Sequence, residues 1–369
     1  MTRIYLDNAA TTPLRQEVVD AMDAARADAF NPSSLHEEGR RARARLDDAR
    51  DRVAACLGVS RKEIAFTGSG TESDNAAILG AVRASGRKGH VLASAIDHHA
   101  VIHALDALAA EGHEVELLPV DERGAVDPAA FAAALRPATI LASVFYANNE
   151  IGTVSPVAEL ARIARERGVL FHTDAVQAPG WLPVDAASLG ADLLSISAHK
   201  FEGPKGVGAL YVRSGVVLEP IVHGGGQEFG RRSGTENVLG AVGMARALEL
   251  AVGDAAERTQ RVARLRDRLE SGIAATIGGV RFNGAGGPRL PGNSNVSFAD
   301  ALSEELLLQL DLQGVAVSAG SACASGAIEP SHVIEALHID PRWRSGPIRF
   351  SLGRTTTEEE IDRVLALLP

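Results

Sequence analysis

The chain has 369 residues, 46% hydrophobic and 23% charged, ample for one large domain and one smaller one in an ordinary globular protein. A formal net charge of -10 argues against nucleic-acid binding, which needs a basic face to displace counterions. No apolar run approaches the roughly 20 residues of a spanning helix, the start MTRIYLDNAATT has no cationic-then-apolar secretion pattern, and only Cys56 and Cys323 are present. With no disulfide framework and no CxxC metal spacing, a cytoplasmic protein without a membrane partner is expected.

Residues 4–6 read as a short strand entering the polar turn Asp7-Asn8-Ala9-Ala10-Thr11-Thr12, either a plain turn or the border of a site. Helices are predicted over 15–27 and, after the loop Asn31-Pro32-Ser33-Ser34, over 40–57. The second carries Ala42, Leu46, Ala49, Val53 and Leu57 at helical spacing and stops at Gly58. Cys56, at its end, reads as a packing residue, since free cysteine behaves as a small hydrophobe. A strand over 64–67 then runs into Gly68-Ser69-Gly70-Thr71-Glu72-Ser73-Asp74-Asn75 and an apolar helix from Ala76. Glycines at a helix amino terminus let backbone N–H groups approach an anion. Ser69 and Glu72 equally form a capping box, and both readings stand. The spacing is neither a P-loop nor a dinucleotide fingerprint, which leaves a nicotinamide reading weak.

Strand and helix patterns then alternate: strands over 91–94, 114–118 and 139–144, with helices from Ala100, Pro128 and Val157. Such alternation predicts an α/β fold with a mostly parallel central sheet and helices on both faces, its ligands at the carboxyl ends of the strands. Polar residues gather at those ends: Asp97-His98-His99, Asn148-Asn149-Glu150, and His172-Thr173-Asp174-Ala175-Val176-Gln177 after a strand over 169–171. Another strand, over 191–196, delivers Ser197-Ala198-His199-Lys200. Lysine is scarce: only Lys62, Lys88, Lys200 and Lys205 occur. Arginine cannot replace it in a Schiff base, because the guanidinium stays protonated. By itself Lys200 is as readily a solvated amine as a reactive one.

A lysine, a carboxylate, a histidine and a phosphate cradle at neighbouring strand ends fit pyridoxal phosphate. Lys200 would form the covalent link, Asp174 would keep the pyridine nitrogen protonated, and the Gly70-Thr71 turn would take the phosphate. His98 would stack on the ring, Gln177 or Asn149 would bond its phenolic oxygen, and Ser197 and His199 stand close enough to Lys200 to help with the phosphate.

Beyond a strand over 209–213, the glycine- and arginine-rich stretch His223 to Asn237 can reach phosphate or the same loop of a partner subunit. A long helical stretch over 238–274, with a break near Gly253, leads to a smaller α+β domain with strands near Val280, Asn295 and Val315 and over 348–351. Its last helix is capped at Thr356 or Thr357. The large domain is expected over 13–255, and the small one over 1–12 and 256–369. Cys323 lies there among small residues, on an open loop in which a thiol is a liability unless used.

The stretches LDNAATTP, NPSSLH, TGSGTESDN, DHHAV, NNEIGT, HTDAVQ, SAHKFEGPKG, GGGQEFGRRSGTEN, GSACASG and IRFSLGRTTTEEEID, in order and nearly end to end, together resemble the cysteine desulfurases, pyridoxal-phosphate enzymes of the class V aminotransferase group. The resemblance implies an aspartate-aminotransferase-like fold (PLP fold type I) and a homodimer with active sites near the subunit interface. It implies that Lys200 holds the cofactor, Asp174 pairs with the ring nitrogen and His98 lies over the ring as an acid/base. Thr71, Ser197 and His199 would bind phosphate with Thr235 of the other subunit, Asn149 and Gln177 would position the ring oxygen, and Arg349 would clamp the substrate carboxylate. Cys323 would take sulfur from L-cysteine as a persulfide, releasing L-alanine.

A free thiol is only a few per cent ionised at neutral pH, so Cys323 would need activation. The stretch 317–332 resembles the longer, mobile-loop type, which implies delivery to an iron-sulfur scaffold or another acceptor, and no resident metal, Cys323 serving at most as a transient iron-sulfur ligand. The carboxyl-terminal extension by which similar housekeeping members engage a scaffold is missing after Leu368. A selenocysteine lyase, kynureninase or aminotransferase of the same cofactor group, and a noncatalytic partner-binding relic of the fold, are the competing readings.

Overall fold

The computed structural model describes residues 3–319 and 331–368. Cys323 lies outside the described residues. Twelve strands occur among them: β1 (Ile4–Tyr5), β2 (Ile64–Thr67), β3 (His90–Ser94), β4 (Glu114–Leu118), β5 (Thr139–Ser143), β6 (Leu170–Asp174), β7 (Leu193–Ser197), β8 (Gly208–Val212), β9 (Val280–Asn283), β10 (Asn293–Phe298), β11 (Val315–Ala316) and β12 (Pro347–Ser351). Seven of them form the central sheet, in the order β2-β8-β7-β6-β5-β3-β4. Pairing is parallel from β4 through β7, and β8 alone runs antiparallel, to both β7 and β2.

Successive residues of a strand point to opposite faces, and here they enter different cores. Leu92, Leu194, Ile196, Ala209 and Tyr211 pack with the helices Glu37–Cys56, Val157–Glu166 and Val238–Gly253. Val91, Ala93, Leu193, Leu210 and Val212 pack with the helices Gly70–Ala84 and His99–Ala110. The sheet is therefore covered on both sides, as nearly continuous apolar strands require. A third cluster joins the two ends of the chain: Ile4 and Leu6 bury against Leu269, Val296, Phe350 and Ile361. There β9, β10 and β12 form an antiparallel sheet, and β1 pairs in parallel with β11. The short helix His332–Ala336 packs into the large core through Val333 and Ile334.

Local chemistry sets the boundaries. The final helix, Glu358–Leu367, begins with a complete capping box between Thr357 and Glu360. The long helical stretch breaks after Gly253, giving Val238–Gly253 and Ala255–Thr276. Several predicted limits move, two of them at the cavity. The helix expected from Ala76 starts at Gly70: Ser69 Oγ accepts from the Glu72 N–H at 3.1 Å and the Glu72 carboxylate accepts from the Gly68 N–H at 2.8 Å, so capping draws the glycine turn into the first helical turn. The strand expected to end at Phe171 runs on to Asp174, because His172, Thr173 and Asp174 pair with Leu193, Leu194 and Ser195. The helix Ser303–Leu312 was not legible; its leucines do not keep one apolar face, and Leu308 and Leu312 are exposed. Among the described residues no helix is long and apolar enough to cross a membrane.

Candidate active site

The carboxyl ends of β3, β5, β6 and β7 and the amino terminus of the helix Gly70–Ala84 surround a cavity of about 230 Å³. Nine of the sequence-predicted residues line it together: Gly70, Thr71, His98, Asn149, Asp174, Gln177, Ser197, His199 and Lys200. A parallel sheet produces this convergence, since every strand ends on the same rim.

Lys200 follows β7 in a single 3₁₀ turn, Ala198–Lys200. Its Nζ donates to the carbonyls of Ala9 at 2.6 Å and Ala10 at 2.9 Å, so the polar turn 7–12 is tied to the cavity through the lysine. Burial, with the Arg349 charge second, lowers the Lys200 ammonium to about 8, against the opposing pull of Asp174 and Asp7. At that value a useful fraction of the amine is neutral and nucleophilic near neutral pH.

Asp174 ends β6 with its Oδ1 accepting from the Val176 N–H at 2.8 Å. Burial raises its carboxyl to about 6, while that hydrogen bond and Lys200 pull it back. Behind it lies a polar network the sequence did not reveal. His172, expected at the rim, points inward from β6 instead, on the face of Asp174. Its Nδ1 sits 2.8 Å from Ser143 Oγ and its Nε2 3.1 Å from Ser195 Oγ and 3.5 Å from Asp74 Oδ1. Burial drives His172 down to about 3 and Asp74 well above the carboxylate range, with Asp174 adding to the latter. Asp97 is raised likewise, by burial and then by Asp174. Burial thus disfavours the charged form of both carboxyls, whereas Asp174 faces the Lys200 charge, which favours its ionised form. Their signal was present in sequence as Asp74 in the helix and His172 two residues before Asp174, but burial is a tertiary property.

His98 caps the helix His99–Ala110, accepting from the Ala100 N–H through Nδ1 at 3.1 Å, which leaves its Nε2 edge to the cavity. Its surroundings, and Lys200 next, hold the imidazole well below its ordinary range, to about 4, so it is a neutral base. Gln177 Nε2 donates to the Ala9 carbonyl at 2.9 Å. His199 Nδ1 lies 3.1 Å from Thr11 Oγ1.

The cavity fits pyridoxal phosphate. Ser197 Oγ is buried, lines the cavity and has no hydrogen-bond partner in the protein, as expected of a hydroxyl reserved for a ligand. It stands beside the amino terminus of the helix Gly70–Ala84, where unpaired N–H groups favour a phosphate. Gly208 opens β8 hard against this turn: a Cβ there would come within 2.7 Å of the Ser69 carbonyl.

Two predicted residues lie outside this cavity. Thr235 is exposed and lines a separate depression of about 120 Å³ with Gly68, Gly206 and Arg232. Arg349, in β12, is only 3% exposed. Its Nη1 donates to the Asn149 carbonyl at 2.9 Å and its Nη2 to Asp7 Oδ1 at 2.7 Å, with Nε left unpaired. Asp7 is the partner that sequence reasoning did not supply. Cys56 behaves as expected: it packs against the large core, and burial pushes its thiol up to about 11.

A family model described as Aminotransferase class-V matches residues 4–364. A relative named cysteine desulfurase IscS, from Dictyoglomus turgidum, is 49% identical over 367 residues, covering 99% of this chain and 93% of its own. Another of the same name, from Methanosarcina thermophila, is 48% identical over 99% of this chain and 91% of its own. Among solved structures, a NifS-like protein superposes with a TM-score of 0.93 at 38% identity, covering 99% of this chain and 98% of that one. A structure described as SspA in complex with cysteine superposes with a TM-score of 0.83 at 33% identity, covering 96% and 100%.

Proposed function

The chain belongs to the class-V aminotransferase family and is a pyridoxal-phosphate-dependent cysteine desulfurase, and from that premise we propose which of its residues carry the reaction and where the sulfur goes. The observation that carries the assignment is the convergence of Lys200, Asp174, His98 and the unpartnered Ser197 hydroxyl on one cavity.

In this reading Lys200 binds the cofactor covalently, its amine made available by the drop to about 8. Bound pyridoxal phosphate supplies an electron sink for charge developing at the substrate Cα. Asp174 would hold the proton on the ring nitrogen that makes the sink effective, and burial disfavours a competing charge on Asp74 and Asp97 behind it. Ser197, His199, Thr71 and the N–H groups of Gly70 and its neighbours hold the phosphate, with Thr235 reaching the partner subunit's site in a homodimer. Asn149 and Gln177 orient the ring through its oxygen. His98, neutral and open to the cavity, moves the Cα proton. Arg349 takes the carboxylate of L-cysteine by exchanging its Asp7 contact for a bidentate one.

Sulfur transfer then balances as follows. The substrate carbon–sulfur bond breaks, a sulfur–sulfur bond forms with Cys323, and the carbon takes up the proton surrendered by the Cys323 thiol, leaving L-alanine and a persulfide. An iron-sulfur scaffold or another sulfur-acceptor protein in the cytoplasm is the proposed recipient. The division into a large domain over 13–255 and a small one made of both chain ends is part of the same proposal, supported by the core that Ile4 and Leu6 share with residues beyond 260.

The test is turnover of L-cysteine with mass detection of a peptide 32 Da heavier at Cys323, a shift expected of one added sulfur. Alanine and persulfide should appear in equal amounts in a single turnover. A Cys323→Ser protein that releases sulfide at the wild-type rate overturns the assignment of Cys323, and absence of a lysine adduct after borohydride reduction overturns that of Lys200.

A further inference from the structure

Glu150 is a carboxyl that the reaction scheme leaves unused. It follows Asn149 in the β5 rim, is 3% exposed, and burial raises its pKa. A carboxyl buried to this degree costs stability unless it is well bonded. Its side-chain partner is Ser331, whose hydroxyl donates to Glu150 Oε2 at 2.5 Å.

Ser331 and His332 are the first described residues after Cys323, and both are tied to the cavity rim. Besides its bond to Glu150, Ser331 caps the helix His332–Ala336. The His332 Nε2–H donates to the carbonyl of Asp97 at 3.0 Å, next to His98, and its ring lies 4.5 Å from that of His99. Val333 and Ile334 then sink into the large core. On the amino-terminal side of Cys323, Ser318 and Arg349 exchange backbone hydrogen bonds, the Ser318 N–H to the Arg349 carbonyl at 3.2 Å and the Arg349 N–H to the Ser318 carbonyl at 2.6 Å. Both flanks of the segment are therefore fastened to residues that adjoin the substrate site, Arg349 on one side and Asn149-Glu150 on the other. Arg349 Nη1 closes the circuit by donating to the Asn149 carbonyl.

We propose that Glu150 is a positioning residue for sulfur transfer: through Ser331 it fixes the carboxyl-side root of the Cys323 segment against the rim that holds Asn149 and His98. The inference rests on Cys323 being the sulfur acceptor. Glu150 does not line the cavity; it acts by holding Ser331 in place, and misplacement of a reacting group by about an ångström costs up to ~10²-fold in rate.

Three variants test it: Glu150→Leu, which removes the acceptor, Ser331→Ala, which removes the donor, and Glu150→Gln, which keeps an acceptor oxygen. Two readouts are taken on each protein reconstituted with pyridoxal phosphate. One is the change in visible absorbance on adding L-cysteine, which reports substrate engagement at the cofactor. The other is the single-turnover rate of persulfide formation on Cys323, followed by mass. Loss of one hydrogen bond to a buried carboxyl should slow the second by about tenfold in Glu150→Leu and in Ser331→Ala. The first should stay at the wild-type rate, Glu150→Gln should restore the second, and the double variant Glu150→Leu/Ser331→Ala should be no slower than either single one.

Equal loss in both readouts means that Glu150 only supports the fold and overturns the proposal, as does an unchanged persulfide rate in Glu150→Leu. Ser331→Ala also loses a helix cap, so an additive double variant counts against it too. Failure of the underlying assignment looks different: Cys323→Ser would then retain sulfide release whatever residue occupies position 150.

Discussion

Two pairs of charged groups lie deep in the large core, and they are built to opposite ends. Arg50 and Glu228 are almost fully buried and meet each other directly, with only the Arg50 Nε of the pair left without a hydrogen-bond partner. The guanidinium meets both carboxylate oxygens, at 2.5 and 2.8 Å; Arg50 also donates to the Ile64 carbonyl, and Glu228 accepts from the Phe66 N–H. Phe66 and Phe229 flank the guanidinium with their rings. This pair holds Glu228 and Phe229 in left-handed backbone, φ 50° and 59°, at the root of the loop that carries Thr235. Lys200 and Asp174, by contrast, share a cavity without a direct ion pair, and each is moved toward its neutral form, to about 8 and about 6. Burial with a direct two-point ion pair makes a structural joint; burial without one makes a reactive amine and a tunable carboxylate.

Replacing Lys200 should separate the two kinds most sharply. Lys200→Met is expected to abolish the lysine-bound cofactor absorbance and to cut cysteine turnover by at least ~10³-fold. The cofactor-free variant should nevertheless be no less stable than wild type in urea. The folded protein depresses the Lys200 pKa from 10.5 to about 8. Folding therefore disfavours the ammonium, the penalty is complete below pH 8, and it fades as pH rises toward 10.5. The stability gap between variant and wild type should accordingly shrink across that window. A large loss of stability in Lys200→Met at pH 7 would make Lys200 a joint of the Arg50 kind.

The reverse outcome is expected at the other pair. Arg50→Met strands a buried carboxylate and should cost about 3–5 kcal/mol of unfolding free energy, with the Arg50→Met/Glu228→Leu double variant recovering part of it. Urea titration at fixed protein concentration measures both. If the single variant is as stable as wild type, the pairing is not what holds the Thr235 loop.

Within the cavity, Asp174 and Asp74 should differ although both are buried. Asp174→Asn removes the charge under the ring and should lower turnover by about 10²-fold, since a fixed charge aimed at a reacting group is worth several kcal/mol. Asp74→Asn puts a neutral isostere in place of a carboxyl whose charged form burial already disfavours, and turnover should stay within about threefold of wild type. Comparable losses would show that Asp74 is ionised. The amine predicts a pH profile as well. Attack on the cofactor aldehyde needs neutral Lys200, so uptake by the cofactor-free protein should rise about tenfold per pH unit below 8 and level off above it. Stopped-flow absorbance measures the rate, and a rise continuing to pH 10 would mean an unperturbed lysine.

The rim of the cavity was legible in the sequence because a parallel sheet turns strand ends into neighbours: once 91–94, 139–144 and 191–196 read as strands, His98, Asn149 and Lys200 had to meet. What lay beneath the rim was not legible. His172 looked like a rim residue until the register of β6 extended to Asp174 and turned it inward, and Asp74 looked like one more polar residue of a capped helix. The contacts of Arg349 with Asp7 and Asn149 span 342 and 200 residues, and no local pattern encodes such distances. Of the two readings of the glycine turn, the capping by Ser69 and Glu72 is present, and it pulled the helix start six residues upstream of the expected one.

The smallest effect is expected at Cys56, and it bears on which thiol matters. Cys56 ends the helix Glu37–Cys56 against the large core, and its thiol is pushed up to about 11 by burial first and by the Glu249 charge second. At pH 7 to 8 less than roughly one part in a thousand of such a thiol is ionised, so it is neither a nucleophile nor a ready site for alkylation. Cys56→Ser should therefore keep cysteine turnover within about twofold of wild type and still give the 32 Da shift, located at Cys323. It should lose a little stability from the hydroxyl placed among apolar neighbours, no more than about 1–2 kcal/mol. Persulfide found at position 56 in the wild type would break the contrast between a thiol that packs and a thiol that reacts.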